Sequence, residues 1–111
     1  MIDDDDEVSV AAVTIAELLV GVLLADDRHR KARQEFVDQI QHSVPVIDYD
    51  ATIAASHAQL LVAVRRQGRR RGAHDLIIAA TARATQREVV SADTFAYEEM
   101  PGVTVRSHRR P

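Results

Sequence analysis

The sequence predicts an α/β fold carrying a parallel sheet, and three observations point there. Short apolar runs rich in β-branched residues recur along the chain, at residues 8–13, 44–47, 88–91 and 103–105. Between them lie stretches whose apolar residues repeat at helical spacing. The composition, with 46% hydrophobic and 28% charged residues, 4 Gly and 3 Pro, is that of an ordinary soluble globular chain. At 111 residues it is read as a single domain over 1–111, able to bury roughly two-thirds of the surface its unfolded chain exposes. Strands that alternate with helices in this way form a parallel sheet with helices on its faces.

Residues 1–7 are a run of acids that repel one another when packed, so a solvated start is expected there. V-S-V-A-A-V at 8–13 reads as a short buried strand, which Thr14 ends. Thr14, Ile15, Ala16 and Glu17 have the form of a capping box, with Leu18, Leu19, Val22 and Leu23 as the buried stripe of a helix over 14–25. Asp26 or Asp27 caps a second helix over 29–40, a surface helix whose apolar side carries Ala32, Phe36, Val37 and Ile40. Pro45 sets 44–47 at the start or edge of a strand. Asp50 caps a helix over 51–67 bearing Ile53, Ala54, His57, Leu60, Leu61 and Val64, and Gly68 stops it in the left-handed position.

An Arg-rich connection then leads to G-A-H-D-L-I-I-A-A-T-A-R-A at 72–84, the most apolar helix of the chain. Strands at 88–91 and 103–105 follow, separated by a loop with Pro101 and Gly102, and 106–111 reads as a loose basic tail.

Composition narrows the function. The absence of Cys excludes a disulfide framework and a thiolate zinc site, and no apolar run is long enough to span a membrane, which together suggest a cytoplasmic protein. A net charge of -3 argues against indiscriminate nucleic-acid binding, yet Arg65, Arg66, Arg69, Arg70 and Arg71 crowd one stretch. That cluster is either a solvated helix end or a contact for phosphates.

In parallel sheets, sites gather beyond the carboxyl ends of strands. Glu17, Asp75 and Asp93 meet that condition, and carboxylates from separate segments are how Mg²⁺ or Mn²⁺ is held against a phosphodiester. Each acid also has a plainer reading. Glu17 belongs to its capping box, Asp75 is an acid at a helix start, and Asp93 stabilises the turn that ends a strand, with Ser91 an ordinary turn residue. His74, without an evident partner in the sequence, is expected in a solvent-facing loop.

Three stretches give the sequence a family likeness: V-A-A-V-T-I-A-E-L-L-V-G at 10–21, G-A-H-D-L-I-I-A-A-T-A at 72–82 and V-V-S-A-D-T-F at 89–95. In this order they resemble the PIN-domain ribonucleases, and within them the VapC toxins of bacterial toxin-antitoxin pairs. The resemblance implies a three-layer α/β/α domain with a central parallel sheet. By the same resemblance Glu17, Asp75 and Asp93 are catalytic and ligate the metal, and Ser91 supports the last of them. It further implies a magnesium-dependent endoribonuclease, homodimeric, silenced by a small VapB-like antitoxin. For such an enzyme Arg69, Arg70 and Arg71, guanidinium groups on a flexible connection, suit the phosphate oxygens of the RNA backbone.

The chain departs from the family pattern at its start, where D-[TS]-x-x-[LI] on a first strand is expected and only Met1, Ile2 and Asp3 imitate it. The expectation is therefore an N-terminally shortened PIN-like domain, marginal in stability and with little cleavage of its own. The alternative is an inactive PIN remnant that binds an antitoxin or RNA without cutting. A further reading makes it a structural domain whose acids are all caps.

Overall fold

The computed structural model describes residues 8–91 and 93–107. The acidic start, with Asp3, and residues 108–111 of the expected tail lie outside the described residues. The described residues form two compact units, one inside Glu7–Asp48 and the other inside Tyr49–Pro111.

The first unit contains β1 (Val10–Ala11), α1 (Ala12–Leu24), α2 (Asp27–Ser43) and β2 (Val46–Ile47). β1 and β2 pair in parallel, Val10 opposite Val46 and Ala11 opposite Ile47, and the Val10 amide adds a bond to the Pro45 carbonyl. Its core is Ile15, Val22 and Val37, with Val10, Leu18, Leu19, Ile40 and Val46 packed around it. Asp26 is the cap of α2: its carboxylate accepts from the His29 amide at 3.0 Å, filling one of the donors a helix start leaves open. The α1–α2 corner is tied by Arg30, which donates to the Ala25 carbonyl at 2.7 Å, and further along by Arg33, which donates to the Gly21 carbonyl at 3.0 Å.

Several expectations are corrected in this unit. The strand covers only Val10–Ala11, because the chain turns helical at Ala12. The capping box does not form: Thr14 lies inside α1, and the residue at the cap is Ala11, which offers no side-chain bond. An apolar helix buried on one side needs no polar cap to start, because packing rather than propensity stabilises it. Leu23 is 75% exposed, since Ile15, Leu18, Leu19 and Val22 already fill the buried stripe and Leu23 sits off it. Phe36 is also exposed, and Val37 takes the core position of α2.

The second unit contains α3 (Ala51–Arg66), α4 (Ala73–Ala84), β3 (Val89–Ser91), a 3₁₀ turn over Phe95–Tyr97 and β4 (Val105–Ser107). Asp50 caps α3 as expected, accepting from the Ile53 amide at 2.9 Å. Gly68 ends the helix at φ +68°, and the Arg69 amide reaches back to the Val64 carbonyl at 3.1 Å, the long-range bond of a glycine-terminated helix. α3 packs on α4, and Ile53, Leu60 and Val64 of the first and Leu76, Ala79, Ala80 and Ala82 of the second are buried.

β3 and β4 pair in parallel, Val89 opposite Val105 through Ser91 opposite Ser107. Parallel pairing and the α/β class are as the sequence predicts, although the sheet is two separate two-stranded pairs among the described residues. The last strand is also displaced, to 105–107 from the expected 103–105, so Arg106 and Ser107 belong to a strand and not to a loose tail. Register explains the shift: the Val89 amide bonds the Thr104 carbonyl at 2.8 Å, and Arg106 meets Glu88 at 3.3 Å.

Candidate functional site

α4 starts at Gly72, its cap residue, and Asp75 falls in its first turn, where the amides and dipole of a helix favour a carboxylate. The apolar residues after it place the helix, and this placement leaves Asp75 half-buried at the helix mouth. The carboxylate lies back over Gly72: a Cβ on that residue would stand 3.0 Å from Asp75 Oδ2. The Tyr97 hydroxyl, itself buried, donates to Asp75 Oδ1 over 3.4 Å. Tyr97 sits on the 3₁₀ turn, and that turn packs against α4. His74 is in the same first turn of α4 and exposed, not in a loop.

Asp93 enters from β3. The Ser91 hydroxyl accepts from the Asp93 amide at 3.0 Å and donates to the Asp93 carbonyl at 3.3 Å, a local clasp that fixes the chain as the strand ends. Asp93 Oδ1 in turn accepts from the Ala96 amide at 3.3 Å, opening the turn that carries Tyr97. The second unit thus links Asp75 and Asp93 through one short turn. Glu17 belongs to the first unit, on the exposed side of α1, where it has no part in a cap. Among the described residues no group of three or more His, Asp or Glu is gathered closely enough to hold a metal ion.

The arginines divide. Arg71 donates to the Phe95 carbonyl at 2.8 Å and to the Glu98 carbonyl at 2.6 Å, and its guanidinium lies over the Phe95 ring, 5.6 Å from the centroid. Arg69 Nη1 lies 3.3 Å from Glu99 Oε2, an ion-pair distance whose angle does not make a hydrogen bond. Gln67 donates to the Glu99 carbonyl at 2.8 Å. Arg70 is exposed. Tyr97 and Gln67 were not singled out by the sequence; their partners lie 22 and 32 residues away, and no local spacing marks them.

The donor chemistry suits a hard divalent cation. Carboxylate oxygens are what Mg²⁺ and Mn²⁺ prefer, and Asp75 holds Oδ2 close over Gly72, 3.0 Å from where a Cβ would stand.

Comparison with known proteins bears on what such a site is for. The sequence matches the PIN domain over residues 1–98. It is 31% identical over 96 residues to a tRNA(fMet)-specific endonuclease VapC of Shigella flexneri, covering 85% of this chain and 70% of that protein. Among solved structures it resembles VapBC-5 of Mycobacterium tuberculosis, a member of the VapBC family of toxin-antitoxin systems, at TM-score 0.81 and 29% identity, covering 96% of this chain and 90% of that one. VapBC2 of Rickettsia felis, bound to a DNA fragment from its promoter, shares the fold at TM-score 0.83 and 20% identity, with 93% of this chain and 76% of that one covered. The parallel strand pairs, the acid at the mouth of α4 and the extent of the match lead to one conclusion: the chain belongs to the PIN-domain family and is VapC-like.

Proposed function

We propose that this chain is the toxin of a toxin-antitoxin pair, a metal-dependent endoribonuclease that cleaves RNA phosphodiester bonds and is neutralised by a small VapB-like antitoxin. The observation that carries the reading is the Asp75 carboxylate at the mouth of α4, joined through Tyr97 to the turn that follows Asp93. The VapC relative named for tRNA(fMet) makes a structured tRNA the first substrate to test. The VapBC neighbours support an antitoxin partner. A homodimer in the cytoplasm belongs to the same reading.

In it, Asp75 and Asp93 would help to hold Mg²⁺ or Mn²⁺. When bound, the cation supplies Lewis acidity to the phosphodiester and a water acidified enough to attack it. Tyr97 orients Asp75 by occupying one carboxylate oxygen, and Ser91 holds the backbone from which Asp93 projects. Arg70 supplies charge to the phosphate backbone without reading bases.

The test is cleavage of a tRNA pool by the purified chain, freed of any antitoxin, in Mg²⁺ and in EDTA. Cleavage should depend on the cation and should fall by at least about 100-fold in Asp75→Asn, beyond what loss of a supporting partner causes. Cleavage that survives both the chelator and the substitution would sink the proposal.

A further inference from the structure

Arg71, the residue before the cap of α4, is engaged in a way that a phosphate contact would not require. Both terminal nitrogens of Arg71 are directed at main-chain carbonyls of one turn, those of Phe95 and Glu98. Its guanidinium carbon lies over the Phe95 ring, and its Nε is buried with no hydrogen-bond partner among the described residues. A planar fork satisfied by two carbonyls at fixed spacing sets the geometry of the turn that carries them. That turn begins with the Asp93–Ala96 bond and contains Tyr97, whose hydroxyl meets Asp75. The grip has further points in Gln67 on the Glu99 carbonyl and Arg69 beside the Glu99 carboxylate. The connection between α3 and α4 therefore holds the segment between β3 and β4 just where it faces the start of α4.

We propose that Arg71 is a positioning residue of the acid site: by clasping the Phe95–Glu98 turn it sets Tyr97 against Asp75 and fixes the exit of Asp93, and it does not bind the RNA backbone. This rests on the reading of Asp75 as a metal ligand made above. Removing the clasp leaves both acids in the chain but frees the turn that relates them. The cation site should then loosen while the electrostatic attraction for RNA stays as it was. Arg70, exposed and one residue away, is the natural contrast.

The experiment uses the full chain and two readouts that need no cleavage. Mn²⁺ affinity is measured from the loss of the free-ion paramagnetic resonance signal. RNA affinity is measured in EDTA as a function of salt. Arg71→Gln should weaken Mn²⁺ binding about tenfold, the low end for groups that orient a ligand. Its salt slope for RNA should not change. Arg71→Lys, which keeps the charge but loses the fork, should weaken Mn²⁺ binding nearly as much.

Arg70→Gln should do the reverse, keeping Mn²⁺ affinity and lowering the slope by about 0.7 to 0.9, the loss of one phosphate contact. Because Arg71→Gln also removes two hydrogen bonds that support the fold, Tyr97→Phe serves as the second variant. It removes one hydroxyl, should leave the melting temperature within a few degrees, and should still weaken Mn²⁺ binding several-fold. Native Mn²⁺ affinity in both Arg71→Gln and Tyr97→Phe, or a lowered salt slope in Arg71→Gln, overturns the assignment. Asp75→Asn run in parallel separates the two levels. If it alone loses Mn²⁺, the positioning role fails and the metal reading stands; if it binds Mn²⁺ like the native chain, both fail.

Discussion

Gly72 and Asp75 stand three residues apart at the start of α4, and the carboxylate of the second fills the space that the first leaves by having no side chain. Gly72 is there for this clearance and not for its backbone, whose φ of -61° any residue adopts. An added methyl group would meet Oδ2 at 3.0 Å, so the carboxylate would have to give by a few tenths of an ångström.

Gly72→Ala should therefore separate stability from metal binding. Ala is the poorer N-cap, which the smaller freedom of the unfolded chain offsets in part, so stability should change by no more than about 1 kcal/mol. Mn²⁺ affinity should fall, because the moved oxygen is one proposed to bind it. Thermal melting together with a Mn²⁺ titration checks this, and a variant that binds Mn²⁺ normally would show that Oδ2 has no such duty.

Glu17 is freed from its supposed capping role by the start of α1 at Ala12. Glu17→Gln should change stability by less than about 0.5 kcal/mol, as exposed substitutions do, whereas loss of a true cap costs about 1 kcal/mol. Its effect should appear in Mg²⁺-dependent cleavage. A clear drop in melting temperature for Glu17→Gln would restore the structural reading.

Asp50 is the opposite case, a cap with a bond of 2.9 Å to the Ile53 amide. Asp50→Ala should cost about 1 kcal/mol of stability, within a range of about 0.5 to 2, measured by denaturant unfolding. Asp50→Ser, which can make the same bond, should recover most of that loss.

Leu60 and Leu24 show what burial is worth in this chain. Leu60 is fully enclosed between α3 and α4, and Leu24 is 81% exposed at the end of α1. Leu60→Ala should cost about 2 to 5 kcal/mol through lost apolar burial and the cavity it leaves. Leu24→Ala should cost less than about 0.5 kcal/mol. Equal effects in urea titrations would mean that Leu24 is covered in solution.

What the sequence told correctly was local. Asp26 and Asp50 cap the helices that follow them because a cap needs only the next turn, and Gly68 ends α3 because φ > 0 suits a residue without a Cβ. Thr14 and Glu17 misled because their spacing is that of a helix start even inside a helix already begun. Leu23 misled because α1 is apolar nearly all round, so periodicity cannot choose the face that α2 covers. The register of β4 was out of reach, since Val89 chooses its partner across a loop and a turn. At the site, the residue types were legible and their connections were not. Asp75, Ser91 and Asp93 are written in short motifs, but the Arg71 grip on Phe95 and Glu98 spans 24 and 27 residues.

The two parallel pairs set a schedule for synthesis. β1 finds its partner β2 inside the first unit, so that ladder can close as soon as Ile47 leaves the ribosome. β3 must wait for β4, which emerges with the last described residues. At ordinary elongation rates, the interval between the ends of β3 and β4 is about sixteen residues, or roughly 1 to 3 s. Through that interval Val89 to Ser91 offers an unpaired edge, open to any strand nearby. The newborn chain should be easiest to divert into aggregation, or to proteolysis, in this window, and its first unit should resist a protease before its second does. Pulse proteolysis of stalled chains ending before and after Ser107 would time the change.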